Sequence, residues 1–208
     1  MNLPNKLTML RILLVPVLVL CLMPEKGTDH PPTLLIVVAR HLAVLAFVAA
    51  AITDYFDGKI ARSRGIVTNF GRLMDPLADK LLVMGAFVAL VHPNLFPAWF
   101  VVVVLSREFL VTGLRTLGTS QGRVIHADIW GKHKTIWQMV TIALTLAFLA
   151  VRDTLRYTEH WDRYLRGREL EWWFHVVVLG ILIAVCLVLT LLSGTLYVVR
   201  NWDLVSDK

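Results

Sequence analysis

The chain has 208 residues, of which 57% are apolar and only 17% charged, where a soluble domain carries about 25% charge. With a mean hydropathy of +0.66, a water-soluble monomer would expose large apolar patches, and a disordered chain is excluded on the same ground. The net charge of +6 fits either a nucleic-acid surface or the cytoplasmic lysines and arginines of a membrane protein; the apolar excess selects the membrane and leaves nucleic acid out as a partner.

Six apolar segments follow one another, at 7–23, 34–53, 76–91, 98–117, 135–151 and 173–199. Their lengths predict membrane-spanning helices with soft boundaries. Ahead of the first, Leu3, Leu7 and Leu10 fall at i, i+4, i+7 with Asn2, Asn5 and Lys6 elsewhere, which predicts a short N-terminal interfacial helix. Lys6 and Arg11 loosely imitate a secretory leader, but no small-residue cleavage site follows near Met23 and Pro24. The first segment is therefore expected to remain as a span. No repeat, low-complexity tract or linker breaks the chain. The expectation is an all-α membrane protein: six transmembrane helices in one bundle, forming a single domain over residues 1–208.

Orientation follows from the cations. With the N-terminus inside, thirteen lysines and arginines lie on the inner side and six on the outer. Arg40 and Arg107 fall within spans, where each either pairs or, for Arg40, snorkels outward. Both termini are thus expected in the cytoplasm. In the outer loop Tyr157, Trp161, Tyr164 and Leu165 make a second interfacial stripe, and Trp172 and Trp173 an aromatic belt. Cys21 and Cys186 each sit in an apolar run, which makes no disulfide framework. The seven histidines show no zinc-ligand spacing.

The chemistry concentrates between the second and third segments. The chain reads DYFDGKIAR from Asp54 to Arg62, then eight residues, then GRLMDPLAD from Gly71 to Asp79. Asp54 and Asp57 share a helical face that Gly58 and Ala61 extend with small residues, and Asp75 and Asp79 share a face of the next helix. A short connection makes the two helices antiparallel neighbours, so four carboxylates converge at the membrane boundary. Such a group repels itself unless something neutralises it. Hard divalent cations, Mg²⁺ or Mn²⁺, suit carboxylate oxygens, and a pair of them would clamp a pyrophosphate for displacement at phosphorus. Gly58, Ala61 and Gly71 would leave room for a bulky substrate, and Arg62 could pair with a phosphate or a carboxylate. The alternative is a set of solvated helix-end acids paired with Lys59, Arg62, Arg64 and Arg72.

Asp54, Asp57, Gly58, Ala61, Arg62, Gly71, Asp75 and Asp79 match without departure the signature DxxDGxxARx8GxxxDxxxD. On those positions the chain resembles the CDP-alcohol phosphatidyltransferase family. The resemblance implies a six-helix fold, a homodimer and a metal-dependent site facing the cytoplasm. It implies transfer of a phosphatidyl or related group from a CDP-linked donor to an alcohol, with release of CMP. By that resemblance Asp54, Asp57 and Asp75 are metal ligands, and Asp79 is both a ligand and the base that deprotonates the alcohol. Gly58, Arg62 and Thr68 fall where family members contact the CDP donor, with Ala61 and Gly71 beside them.

Two further stretches bear on the acceptor. One runs from Asn2 through Asn5, Thr8 and Arg11 to Pro16. The other runs from Ser106-Arg107-Glu108 through Thr112, Gly113 and Arg115 to Gly131, Lys132, Lys134, Thr135 and Gln138. Both resemble the bacterial phosphatidylglycerophosphate synthases within that family. This implies CDP-diacylglycerol as donor and sn-glycerol 3-phosphate as acceptor, at the cytoplasmic face of a bacterial inner membrane. A phosphorylated acceptor needs cations, and Arg107, Arg115, Lys132 and Lys134 are the candidates. Arg107 could instead pair with Glu108 or an aspartate. Within the family the other acceptors are serine, inositol phosphate or phosphatidylglycerol. Outside it, an ion-coupled transporter could hold intramembrane acids, or a scaffold could span the membrane without chemistry.

Overall fold

The computed structural model describes residues 3–23, 31–64, 69–122, 129–160 and 167–204. Among them are six long helices and no strand. They are α1 (Leu3–Leu22), α2 (Leu34–Arg64), α3 (Asn69–Val91), α4 (Ala98–Ser120), α5 (Ile129–Tyr157) and α6 (Gly167–Arg200). α6 contains a π-helical stretch at Phe174–Leu179. Helices are the open-ended solution to the backbone problem in lipid, because each pairs its own N–H and C=O groups.

Four of the six are long and apolar enough to cross a membrane, over Asn5–Leu22, Leu34–Asp54, Ile129–Tyr157 and Gly167–Arg200. α3 contributes a shorter apolar stretch, Lys80–Val91. α4 is apolar except where Arg107, Glu108 and Arg115 interrupt it, and all three face a cavity. α2, with 31 residues, is about 46 Å long at 1.5 Å per residue. It outruns the hydrocarbon, so the turns after Asp54 project beyond the apolar window.

α1 packs along α2 and α3, α2 against α5, and both α4 and α5 against α6; α3 also touches α4 and α5. The core of this bundle is small and aromatic. Phe87 meets Phe96 and Phe100 edge-on at 5.2 and 5.6 Å between ring centroids, and Ala43, Ala50 and Ala86 let the backbones approach. At the crossing of α1 and α3 a Cβ on Gly85 would stand 2.7 Å from Val15 Cγ1, closer than packed carbons come. That position admits a larger residue only if the Val15 side chain or one of the two helices shifts.

The outward faces are apolar: Leu13, Leu20, Leu35, Leu45, Phe109 and Val199 are among the exposed large side chains. Polar groups turn inward. Asn5, Thr8, Arg11, Arg40, Lys134, Gln138, Thr141, Asp153 and Thr190 are buried. The start of α1 shows the consequence. It runs unbroken into the span, with no separate interfacial segment among the described residues; Asn5, Thr8 and Arg11 face the bundle while Leu10 faces out. Lys6 is exposed and Leu7 half-buried, so the polar residues of the pattern divide between the bundle and the outside. Of the outer stripe, Trp161, Tyr164 and Leu165 lie outside the described residues; Tyr157, Trp172 and Trp173 are exposed.

Arg40 pairs and does not snorkel. Its Nε donates to Asp153 Oδ2 at 3.1 Å and its Nη1 to the Leu22 carbonyl at 2.9 Å, tying α1, α2 and α5 together. Arg152 donates to the other carboxylate oxygen of Asp153 at 2.8 Å and lies 4.0 Å from Glu171 on α6.

Candidate functional site

At the opposite end of the bundle a cavity of about 460 Å³ opens between α3, α4 and α5. α3 supplies Lys80, Val83 and Met84; α4 supplies Arg107, Glu108, Thr112 and Arg115; α5 supplies Gly131, Lys132, Lys134 and Gln138. All four cations expected to meet an acceptor phosphate therefore line one cavity. Lys80 and Glu108, which that expectation did not include, line it with them.

The charges are organised around Glu108. Arg107 Nη1 donates to Glu108 Oε1 at 3.2 Å, and Lys134 Nζ donates to the same oxygen. Lys80 Nζ donates to Thr112 Oγ1, whose own hydroxyl donates to the Glu108 carbonyl at 2.6 Å. Arg107 thus pairs with Glu108 and also faces the cavity. Lys134 is 2% exposed, whereas Lys132, two positions earlier, is exposed at the rim. Residues two apart on a helix cannot share a face. Arg115 is held from the side: its Nε donates to Tyr197 Oη at 3.3 Å, and its guanidinium sits 5.8 Å from the ring centre.

Room for Arg107 comes from one glycine on another helix, and a second lies at ordinary contact distance. A Cβ on Gly194 of α6 would lie 3.1 Å from Arg107 Cγ, and one on Gly131 of α5 would lie 3.7 Å from Nη2. Arg107 Nε and Gln138 Nε2 are buried and have no hydrogen-bond partner among the described residues. Donors left so in a polar cavity are available to something that enters it.

The acidic constellation adjoins this cavity through the chain itself. Asp54, Asp57, Gly58, Ala61 and Arg62 occupy the closing turns of α2, and Gly71, Asp75 and Asp79 the opening turns of α3. Asp79 immediately precedes Lys80, which lines the cavity. Asp54 is half-exposed, and Arg11 Nη1 reaches its Oδ1 at 3.0 Å. The side chains of Asp57, Gly58, Ala61, Arg62, Gly71, Asp75 and Asp79 lie outside the described residues, as does all of Thr68. Among the described residues no three His, Cys, Asp or Glu side chains gather into a metal-binding group. The donor set that the sequence supplies there, carboxylate oxygen only, is of the kind that hard divalent cations take.

The expected site residues did not include Lys80, Glu108 or the two glycines, although Glu108 and Gly131 stand in the stretch that carries the resemblance. Lys80 was legible as the residue after Asp79, and Glu108 as the neighbour of Arg107. Nothing local signals Gly194, which meets Arg107 from 87 positions away.

Helices long and apolar enough to cross a membrane, enclosing a cavity lined by cations, define a helical membrane protein with a polar internal site. The model of the CDP-alcohol phosphatidyltransferase family matches residues 1–184, and the chain belongs to that family. It is 43% identical over 152 residues to the CDP-diacylglycerol–glycerol-3-phosphate 3-phosphatidyltransferase of Bacillus subtilis (strain 168), covering 70% of this chain and 76% of the relative. The enzyme of the same name from Mycoplasma pneumoniae is 40% identical over 152 residues, 69% of this chain and 67% of the relative. A probable phosphatidylglycerophosphate synthase of Mycobacterium tuberculosis (strain H37Rv) is 43% identical over 143 residues, 69% of this chain and 65% of the relative.

Proposed function

We propose that this chain transfers the phosphatidyl group of CDP-diacylglycerol to sn-glycerol 3-phosphate, giving phosphatidylglycerophosphate and CMP. The observation that carries this reading is the cationic cavity one residue along α3 from Asp79. A phosphorylated alcohol seated there by Arg107, Lys134, Arg115 and Lys132 has its hydroxyl end within reach of the acidic helix junction. The names borne by the relatives support the same donor and acceptor.

In this reading Asp54, Asp57, Asp75 and Asp79 hold two divalent ions, Mg²⁺ or Mn²⁺, which when bound offset charge on the donor pyrophosphate and on departing CMP. Asp79 also takes the proton of the acceptor's C1 hydroxyl as that oxygen attacks the β-phosphorus. Gly58, Ala61, Arg62, Thr68 and Gly71 receive the CDP donor. Arg11, buried against Asp54, fixes the orientation of the first carboxylate. The acyl chains stay in lipid while the head group reacts at the cytoplasmic surface. The excess of cations at the cavity end supports that orientation, with both termini inside. The whole chain then forms one domain of six spans, with α3 and α4 as the two that carry charge inward, and works as a homodimer in a bacterial inner membrane.

Purified protein in detergent with Mg²⁺ and CDP-diacylglycerol should release CMP only when glycerol 3-phosphate is added. Asp79→Asn should cut this release by at least about 10²–10⁴-fold while leaving thermal unfolding unchanged. Release with serine, inositol phosphate or phosphatidylglycerol in its place would move the chain to another acceptor. Solute flux without CMP would remove it from this chemistry.

A further inference from the structure

Glu108 is the one acid among the described residues of the cavity, and it has no role in that scheme. It is an acid in a pocket assigned to bind an acid. Its carboxylate lies against Arg107 and Lys134 and feels the charge of Lys80. An anion there competes with any phosphate for the same N–H donors, and its retention needs a reason.

Lys134 is almost wholly buried on α5, whereas Arg107 and Glu108 both keep slight exposure at the cavity. The Glu108 carboxylate accepts from both cations, so a phosphate that takes their N–H donors has to displace it. The cavity also holds cations in excess: Lys80, Arg107, Arg115, Lys132 and Lys134 against Glu108 leave four positive charges among the described lining residues. A phosphate monoester carries about −1.5 to −2 at pH 7. Without Glu108 the excess would grow, and anions of any kind would be held more tightly.

We propose that Glu108 is a positioning residue that stands in for the acceptor's phosphate. It holds Arg107 and Lys134 while the cavity is empty, gives up their donors when a phosphate monoester enters, and takes them back as product leaves. The inference rests on the acceptor reading above. In that reaction the phosphate monoester is untouched, since the new bond forms at the far hydroxyl. The product therefore leaves with the same group that the acceptor brought, and something must replace it on buried cations whose exposure unpaired is costly. An internal carboxylate does so without waiting for a counter-ion from solution.

The test compares Glu108→Gln, Glu108→Asp and Lys134→Met in the full chain in detergent, with Mg²⁺. The readouts are KM and kcat for glycerol 3-phosphate, inhibition by inorganic phosphate, and the phosphate-dependent rise in Tm. Glu108→Gln keeps the shape and removes the charge. It is expected to lower KM and strengthen phosphate inhibition about fivefold, and to lower kcat because product is retained. Glu108→Asp, with its carboxylate one methylene further back, should tighten phosphate about twofold. This variant and the Tm readout decide the matter if the amide variant does not fold. A KM that rises, or phosphate inhibition that weakens or stays unchanged, in a folded Glu108 variant overturns the proposal and leaves Glu108 as a brace for its neighbours. Lys134→Met tests the acceptor reading separately: KM should rise at least about tenfold. An unchanged KM there overturns the acceptor reading, and the role of Glu108 with it.

Discussion

Both ends of the bundle bury charge, but they do so differently. At one end Asp153 receives Arg40 on one oxygen and Arg152 on the other, and Arg40 spends a further donor on the Leu22 carbonyl. Four helices meet there through groups that satisfy one another. At the other end Lys80, Arg107, Lys132, Lys134 and Arg115 line open space, with Glu108 as the one carboxylate among the described lining residues. Buried charge that is paired throughout holds helices together. Buried charge in excess beside a void is kept for a ligand.

The largest effect expected from this contrast is on the paired end. Asp153→Ala leaves Arg40 buried without its carboxylate and should destabilise the protein by about 3–5 kcal/mol, as seen by unfolding in detergent. The KM of whatever fraction remains folded should not change. The double variant Arg40→Met, Asp153→Leu should recover most of the loss, since a well-packed apolar pair is often as stable as a buried ion pair. A double variant as unstable as the single would mean that the Leu22 contact, and not the charge pair, closes this end.

At the cavity end the same kind of change should act on binding and spare the fold. Lys134→Met, which raises KM, should move the unfolding free energy by only about 1 kcal/mol, because Glu108 keeps Arg107 and the site already held surplus cations. A loss as large as that of Asp153→Ala would make Lys134 a structural cation and erase the distinction between the two ends.

The sequence carried most of the fold because each apolar run is itself a helix in lipid. The observed ends of α4 exceed the expected segment by three residues, and α2 continues to Arg64 as one helix carrying the acids. The acid signature was legible because carboxylates at i, i+3 and i, i+4 are conspicuous in a chain with 15 acids. What was not legible depends on which helices touch. Arg40 and Asp153 are 113 positions apart, and nothing near either one names the other. The first turns of α1 were read as lying on the surface because leucines and polar residues alternate at helical spacing. That pattern gives two faces but not which one meets protein. Glu108 was visible only as a possible partner for Arg107, whereas its contact with Lys134 needs α4 packed near α5.

The smallest effect, and the one that separates a shaped pocket from a merely charged one, is expected at Gly194. A Cβ there would press on Arg107 Cγ at 3.1 Å, tighter than ordinary contact. The neighbour is a flexible side chain and not backbone, so α6 need not move and stability should hold to within about 1 kcal/mol. Arg107 has to yield by a few tenths of an ångström, and its guanidinium, aimed by the stem, swings further than that. A bidentate contact with phosphate is sensitive to this kind of misalignment. Gly194→Ala should therefore raise KM for glycerol 3-phosphate about threefold, with kcat little altered and KM for CDP-diacylglycerol unchanged. If charge alone recruits the acceptor, the substitution should leave both KM values as they are, because every cation is still present. A rise confined to the acceptor would show that the last helix, which carries none of the signature residues, sets the aim of the arginine that meets the phosphate.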